Sequence, residues 1–300
     1  MKNIAFIINP IAGTQKKNKL PKLITQILDK NQWLPNIVFT ERTGHAEELA
    51  KQFAQMGFEA VVAVGGDGTV NEVARGVRGT QTAMGILPIG SGNGFARHLN
   101  ISMRVNKAIE MLNRCEPIAV DYGLANGHVF VTTCGTGFDA MIAEQFAAAG
   151  KRGFKTYLQK IVQDLITYKP ETYRIVEKSE SESERKLDIT TSAFLITFAN
   201  ANQWGNEAYI APKASVQDGK MDICIMSSKA VFAVPSLAVG LFTKMLDKSL
   251  FMDGAKAKDV MLYREKEGPF HIDGDPIHLE KDIHIQIVEE GLKVLVEKRF

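Results

Sequence analysis

Val61-Val62-Ala63-Val64-Gly65-Gly66-Asp67-Gly68-Thr69-Val70-Asn71-Glu72-Val73 runs from a short apolar segment through three glycines into a helical pattern. The Val-rich run is too short for a helix and reads as a buried parallel strand. Glycines let the backbone approach a bound group closely and present N–H donors to it. The helix that follows points its positive end at the same place. Such a turn receives an anion, above all a phosphate, and Thr69 adds a hydroxyl to the donors. Asp67 is the one carboxylate inside this cradle, an arrangement that makes chemical sense where Mg²⁺ bridges acid and phosphate. Three glycines around one acid exceed what a plain strand-to-helix turn requires.

The same device recurs downstream in Leu87-Pro88-Ile89-Gly90-Ser91-Gly92-Asn93-Gly94-Phe95-Ala96-Arg97, with the Ser91 hydroxyl and the Asn93 amide in the loop. Two such loops at the carboxyl ends of neighbouring strands form one crevice, the usual ligand site of an open α/β sheet. Asn9-Pro10-Ile11-Ala12-Gly13, at the end of the first apolar run, can complete it. Lys16, Lys17 and Lys19 follow, read as a solvated loop, with phosphate attraction as the other meaning.

Around these loops strands alternate with helices: strands over 4–8, 37–39, 60–64 and 84–89, helices over 20–28, 46–56 and 70–77. The pattern predicts a doubly wound α/β nucleotide-binding domain over residues 1–118. Beyond Pro117 strand patterns dominate (118–124, 128–133, 172–176, 193–199, 221–226, 260–263), broken by helical stretches over 139–168 and 230–246. This predicts a β-rich domain over 119–285. Residues 177–185 read as a solvated hairpin tip. Two alternating runs, 283–288 and 292–296, with Gly291 in the turn between them, predict a closing hairpin, and residues 286–300 form the tail.

The 300 residues are 45% hydrophobic and 23% charged, with a net charge of +2. That is the make-up of a soluble globular protein. The charge is too mild for a nucleic-acid partner and permits weak attraction to an anionic membrane. Cys115, Cys134 and Cys224 are odd in number and lack metal-ligand spacing, so they read as buried thiols of a reducing, cytoplasmic setting. There is no HExxH pattern, no signal peptide and no run of ~18 to 20 apolar residues.

GGDGTVNEV (65–73), with NPIAG (9–13) before it and GSGNGFAR (90–97) after it, resembles the diacylglycerol kinase catalytic domain, the family of bacterial lipid kinases and of sphingosine and ceramide kinases. Further segments are similar to the same family. CGTGFDA (134–140) resembles its GxGFDA. Ala211-Pro212-Lys213-Ala214 with Asp218-Gly219-Lys220-Met221-Asp222 resembles its APxAxxxDGxLD, and His271-Ile272-Asp273-Gly274-Asp275 its xxDGE. The resemblance spans residues 9–275 and implies a β-sandwich-like architecture for the C-terminal domain, the part that meets the lipid. It implies ATP binding by Asn9, Pro10, Gly13, Thr40, Gly65, Gly66, Asp67, Gly68, Thr69, Asn71 and Ser91, beside Asn93 of the second loop. It implies Asp67 and Asp275 as catalytic residues, Asp275 being the general base. It further implies a structural Mg²⁺ on Asp218 with the carbonyls of Ser215 and Lys220, and a tail that returns to the first domain. The acceptor it implies is a lipid at the membrane surface, met by a peripherally associated protein, with a homodimer compatible.

Two positions depart from the family. Gly94 stands where bacterial members have Asp, which brings the loop nearer to sphingosine-kinase-like members. Asp275 stands where the family has Glu, so the base is one methylene shorter, and Asp273 is the neighbouring acid available to take part. The GGDGT element is shared with NAD kinases, so a soluble acceptor such as NAD is the second reading and a non-catalytic nucleotide- or lipid-binding protein the third. Residues 139–168 mix Phe146, Phe154, Tyr157 and Leu158 with Lys151, Arg152 and Lys155. They form a candidate lipid-facing surface, or else an amphipathic pair of core helices.

Overall fold

The computed structural model describes residues 1–13, 19–149, 164, 167–179 and 187–297. Lys16, Lys17, most of the helical stretch expected over 139–168 with its proposed lipid-facing residues from 151 to 158, and most of the 177–185 loop lie outside the described residues. The chain divides into two compact units, Met1–Tyr122 with Glu289–Phe300, and Gly123–Val288.

The first unit is the expected doubly wound α/β domain. Its elements are β1 (Lys2–Ile8), α1 (Leu20–Ile27), β2 (Trp33–Phe39), α2 (His45–Gln55), β3 (Ala60–Gly65), α3 (Asp67–Val77), β4 (Ala83–Pro88), α4 (Gly94–His98) and α5 (Val105–Leu112). The strands pair in parallel in the order β4-β3-β1-β2. Both β1 and β3 are apolar along almost their whole length because both faces of the sheet are covered, and Ile4 to Ile8 and Val61 to Val64 are fully buried. After β1 the chain steps to one side for β2 and then back across to β3. Connections on either side of this reversal lead away from each other and leave a crevice at the strands' carboxyl ends. Glycine sets the distance between α2 and α3, since a Cβ on Gly76 would lie 2.6 Å from Ala50 Cβ.

The second unit is a β-rich sandwich. It contains the end of β5 (Cys115–Ala125), then β6 (His128–Phe130), β7 (Thr133–Gly137), α6 (Phe138–Ala149), β8 (Glu171–Glu177), β9 (Asp188–Ala199) and β10 (Met221–Ser227). A 3₁₀ turn (Ser228–Ala233), α7 (Val234–Thr243), β11 (Met252–Ala257), β12 (Asp259–Arg264), β13 (Gly268–Ile272), β14 (Asp275–Leu279) and β15 (Asp282–Glu297) follow. The strand β9 is shared: its first half pairs with β8 and its second half with β7 and β10. Phe130, Tyr173, Ile196, Phe198, Phe270 and Ile285 belong to one buried apolar cluster. The Arg264 guanidinium is buried beside it and donates to Thr136 Oγ1 at 3.1 Å and to the carbonyls of Gly268, Pro269, Leu279 and Glu280.

Residue 118, the expected boundary, lies within β5, and the first unit runs on to Tyr122. Two expectations about elements are corrected. The helical stretch over 230–246 is divided, the 3₁₀ turn preceding α7, and Lys244 ends α7 with a left-handed φ of 61°. The terminal hairpin is a single strand, β15. A type I′ hairpin turn needs two successive residues with positive φ, and here Glu290 alone has one, at 49°, within a strand unbroken from Asp282 to Glu297. Its N–H donates to Asp121 Oδ1 at 2.9 Å. The chain kinks there and continues: Ile285 pairs antiparallel with Val260, and Val294 lies parallel beside Met84.

Candidate active site

The turns after β3 and β4 are neighbours because their strands pair up to Gly65 opposite Pro88. Beyond that register Gly66 and Gly90 meet backbone to backbone, and a Cβ on Gly90 would lie 2.5 Å from Gly66 Cα. Gly66 has an ordinary φ of −97°, so it provides nearness and not left-handed freedom. A Cβ on Gly65 would fall 2.3 Å from Thr69 Oγ1, the hydroxyl occupying that space instead. The first segment rests on the second loop at Gly13, which has a left-handed φ of +63° and whose Cβ would lie 1.9 Å from the Ile89 carbonyl oxygen. Asn9 closes the group: its Nδ2 donates to Thr69 Oγ1 at 3.1 Å, and its Oδ1 accepts the Ile11 N–H at 3.0 Å. The Thr69 hydroxyl, accepting from Asn9, keeps its proton for an acceptor in the crevice.

Acids of α3 govern the helix ends around this point. Asp67 Oδ2 accepts the Asn93 N–H at 2.7 Å and Oδ1 the Gly94 N–H at 2.8 Å, so Asp67 caps α4. Glu72 accepts the N–H groups of Gly44 at 2.8 Å and Ala46 at 3.0 Å, and so caps α2. The start of α3 at Gly66 has no capping side chain. The N-termini of α2 and α4 are therefore already met by carboxylates, whereas that of α3, beside Thr69, receives no cap from its N-cap residue Gly66 and faces the glycine loops. Burial pushes the Asp67 carboxyl above its ordinary value, against the pull of the amides of Asn93, Gly94 and Asp67 itself and of Arg97.

The other expected nucleotide residues of this unit fall nearby. Thr40 is buried, with its N–H on the Ile8 carbonyl at 2.9 Å. Together with Asn9, Pro10, Arg42, Thr69 and Glu72 it lines a cavity of about 220 Å³. Asn71 and Asn93 are buried. Asn93 has a left-handed φ of 53° and donates to the Gly90 carbonyl at 2.7 Å, while Ser91 is exposed. Two residues of the motifs have duties that the sequence reading did not assign. One is Glu72, whose capped helix lies 26 residues upstream. The other is Arg97, whose Nε closes the second loop on the Gly92 carbonyl at 3.1 Å. Nothing local announces either partner.

In the second unit the xxDGD segment is a tight hairpin. Ile272 pairs with Asp275 across Asp273 (φ 50°) and Gly274 (φ 88°), the two positive φ values of a type I′ turn. The Asp273 carboxylate accepts the N–H groups of Val131 at 3.0 Å, Thr132 at 2.8 Å and Thr133 at 3.1 Å. It holds the neighbouring segment, which argues against its sharing the work of a base. Asp275 is exposed at the start of β14. The GxGFDA segment is brought to the same place: Asp139 Oδ2 lies 3.1 Å from His271 Nε2 and accepts from Thr197 Oγ1 at 3.0 Å.

At the implied metal position the Asp218 carboxylate already has partners. Asp218 Oδ1 accepts the Lys220 N–H at 3.2 Å and Oδ2 takes the Lys256 ammonium at 2.7 Å. Ser215 Oγ accepts the Gln217 N–H at 3.2 Å. Among the described residues no group of three or more His, Cys, Asp or Glu is placed to hold a metal.

The profile of the diacylglycerol kinase catalytic domain matches residues 3–125, and that of the YegS C-terminal NAD kinase beta sandwich-like domain matches residues 132–296. The chain is 26% identical over 295 residues to YtlR of Bacillus subtilis, a protein named as a lipid kinase, covering 90% of this chain and 92% of that one. It is 27% identical over 239 residues to a YegS-like protein of Chromohalobacter salexigens, also named as a lipid kinase, covering 78% and 75%. Two crystal structures of Bacillus anthracis proteins described as diacylglycerol kinases share the fold, with TM-scores of 0.75 and 0.72 over 98% of this chain and 97% of theirs, at 22% and 21% identity. With glycine loops meeting at the sheet's switch point in one unit and a YegS-type sandwich in the other, the chain belongs to the diacylglycerol kinase catalytic-domain family.

Proposed function

We propose that this protein is an ATP-dependent lipid kinase that moves the γ-phosphate of ATP to a lipid hydroxyl of diacylglycerol, phosphatidylglycerol or sphingoid type. The observation that carries the reading is the meeting of the segments 9–13, 65–71 and 90–94 at the crevice beside β1 and β3, with the N-terminus of α3 uncapped and the Thr69 hydroxyl proton available. In this reading these segments hold the nucleotide's phosphates, and Asp275 takes the proton of the lipid hydroxyl. That oxygen bonds to the γ-phosphorus as the bond to the β-phosphate oxygen breaks, and ADP leaves without a covalent enzyme intermediate. The test is transfer of label from γ-labelled ATP to diacylglycerol, monoacylglycerol, phosphatidylglycerol, sphingoid bases and NAD. Label in a lipid supports the proposal; label in NAD alone, or in no acceptor, overturns it.

We infer further that the protein meets its lipid at an anionic bilayer surface. No helix among the described residues is long and apolar enough to cross a membrane. Val239, Phe242, Met245 and Leu250 are exposed, Leu250 at 99%, in one stretch with the exposed Lys244 and Lys248. Apolar side chains between lysines suit the boundary between acyl chains and anionic headgroups. Sedimentation with phosphatidylglycerol vesicles tests this. The Phe242→Ser/Leu250→Ser variant should stay in the supernatant yet phosphorylate a short-chain, water-soluble acceptor as the parent does. A variant that pellets like the parent removes the surface.

A further inference from the structure

The turn over residues 215–222 is where the family resemblance implies a structural divalent cation, and in this chain another cation stands there. Lys256 on β11 pairs in register with Asp222 on β10, so its side chain starts directly opposite that acid. Its Nζ lies 2.7 Å from Asp218 Oδ2 and 3.1 Å from Asp222 Oδ2. Both Asp218 oxygens are thereby engaged, the other one by the Lys220 N–H at 3.2 Å. Asp222 Oδ2 is buried, and the Lys256 ammonium at 3.1 Å is its charged partner. A second lysine, Lys213, lines a cavity together with Asp222 and Lys256 and is bound separately to Asp247 at 2.7 Å.

We propose that the Lys256 ammonium is the resident cation of this turn, a tethered substitute for the metal, and that the second unit holds residues 215–222 in place without a divalent ion. An entering Mg²⁺ would have to shed part of a tightly held water shell and expel an ammonium attached to the same sheet. The expelled charge would remain beside it, with both carboxylates taken. The converse follows from the same geometry. Without the ammonium, Asp218 and Asp222 are two carboxylates beside one gap, a hard-oxygen pair that attracts a divalent cation.

Calorimetric Mg²⁺ titration and melting curves of the full chain, without nucleotide, test this. The parent protein should show no binding heat and the same melting temperature in EDTA and in millimolar Mg²⁺. Lys256→Met, which keeps the apolar stem, should melt lower in EDTA, recover with Mg²⁺, and bind the ion at least ~10-fold more tightly than the parent. Adding Asp218→Asn to that variant should abolish the recovery. Mg²⁺ binding by the parent that raises its melting temperature and is lost in Asp218→Asn overturns the proposal, and so does a Lys256→Met protein that melts like the parent and ignores Mg²⁺. Should Lys256→Met fail to fold, the comparison of the parent with Asp218→Asn still decides.

Discussion

Asp67 holds the amides of Asn93 and Gly94, Asp273 holds those of Val131, Thr132 and Thr133, and Asp275 stands exposed. Each substitution to Asn should therefore report differently. Asn has one acceptor oxygen, so in Asp67→Asn its NH₂ is turned toward a backbone N–H, donor against donor. The expected cost is ~1–3 kcal/mol of unfolding free energy in urea denaturation. A fall of ~10² to 10³ in turnover should accompany it, because in the proposed reading the loop it ties down lines the phosphate site. Wild-type stability with near-normal turnover would remove both roles. The sign of its pH dependence also follows. Burial raises the folded-state carboxyl above 3.8, so the folded protein keeps the proton longer than the unfolded chain does. The contribution of this group to stability therefore weakens as pH rises from 3.8 through the raised value, a slope that Asp67→Asn should lack. Asp275→Asn should leave stability within ~0.5 kcal/mol, as exposed sites do, and yet nearly abolish turnover on an accepted lipid with ATP affinity unchanged. An unchanged rate would place the base elsewhere.

Glycine contacts, at the scale of elements, rank substitutions that a motif alone would treat alike. A Cβ on Gly90 meets the Gly66 backbone at 2.5 Å, whereas one on Gly66 meets Gly90 at 3.4 Å, an ordinary contact. Gly90→Ala should thus push the two loops apart, costing ~1–3 kcal/mol as overpacking does and weakening nucleotide binding, while Gly66→Ala should fold normally. Equal melting temperatures and equal nucleotide affinities for the two variants would contradict the loop contact. The same contrast marks what was legible in the sequence. The parallel α/β order and the two glycine turns follow from local patterns of apolar period and turn chemistry. The single strand β15 does not, because its continuity depends on Asp121 receiving the Glu290 N–H from 169 residues away. Nor does the ion pair at Asp218, since the register that sets Lys256 opposite Asp222 is a property of the assembled sheet. The capping duties of Asp67 and Glu72 were hidden for the same reason: an acid's residue type and place in a motif do not say which distant amides it will meet.

Each unit has its own buried apolar interior, and the three cysteines sample both: Cys115 in the first unit, Cys134 and Cys224 in the second. All three are free thiols. Burial pushes Cys115 and Cys224 up to about 12 and Cys134 well above the ordinary thiol value. At pH 8 a thiol of pKa about 12 is only ~10⁻⁴ thiolate, and the thiolate is the form that reacts. Iodoacetamide should accordingly leave the native chain unmodified over times in which the urea-unfolded chain takes up three equivalents. Labelling under partial destabilisation then shows how the molecule opens. Units with separate cores tend to open as separate cooperative blocks. In Gly90→Ala, destabilised in the first unit, Cys115 should be alkylated at sub-denaturing urea while Cys134 and Cys224 remain protected together, as read by peptide mass spectrometry. Lys256→Met in EDTA should give the opposite order, Cys224 and Cys134 before Cys115. Simultaneous labelling of all three in both variants would mean that the chain unfolds as one block, and that a lesion in either unit is felt at once through the strands β5 and β15, which run through both.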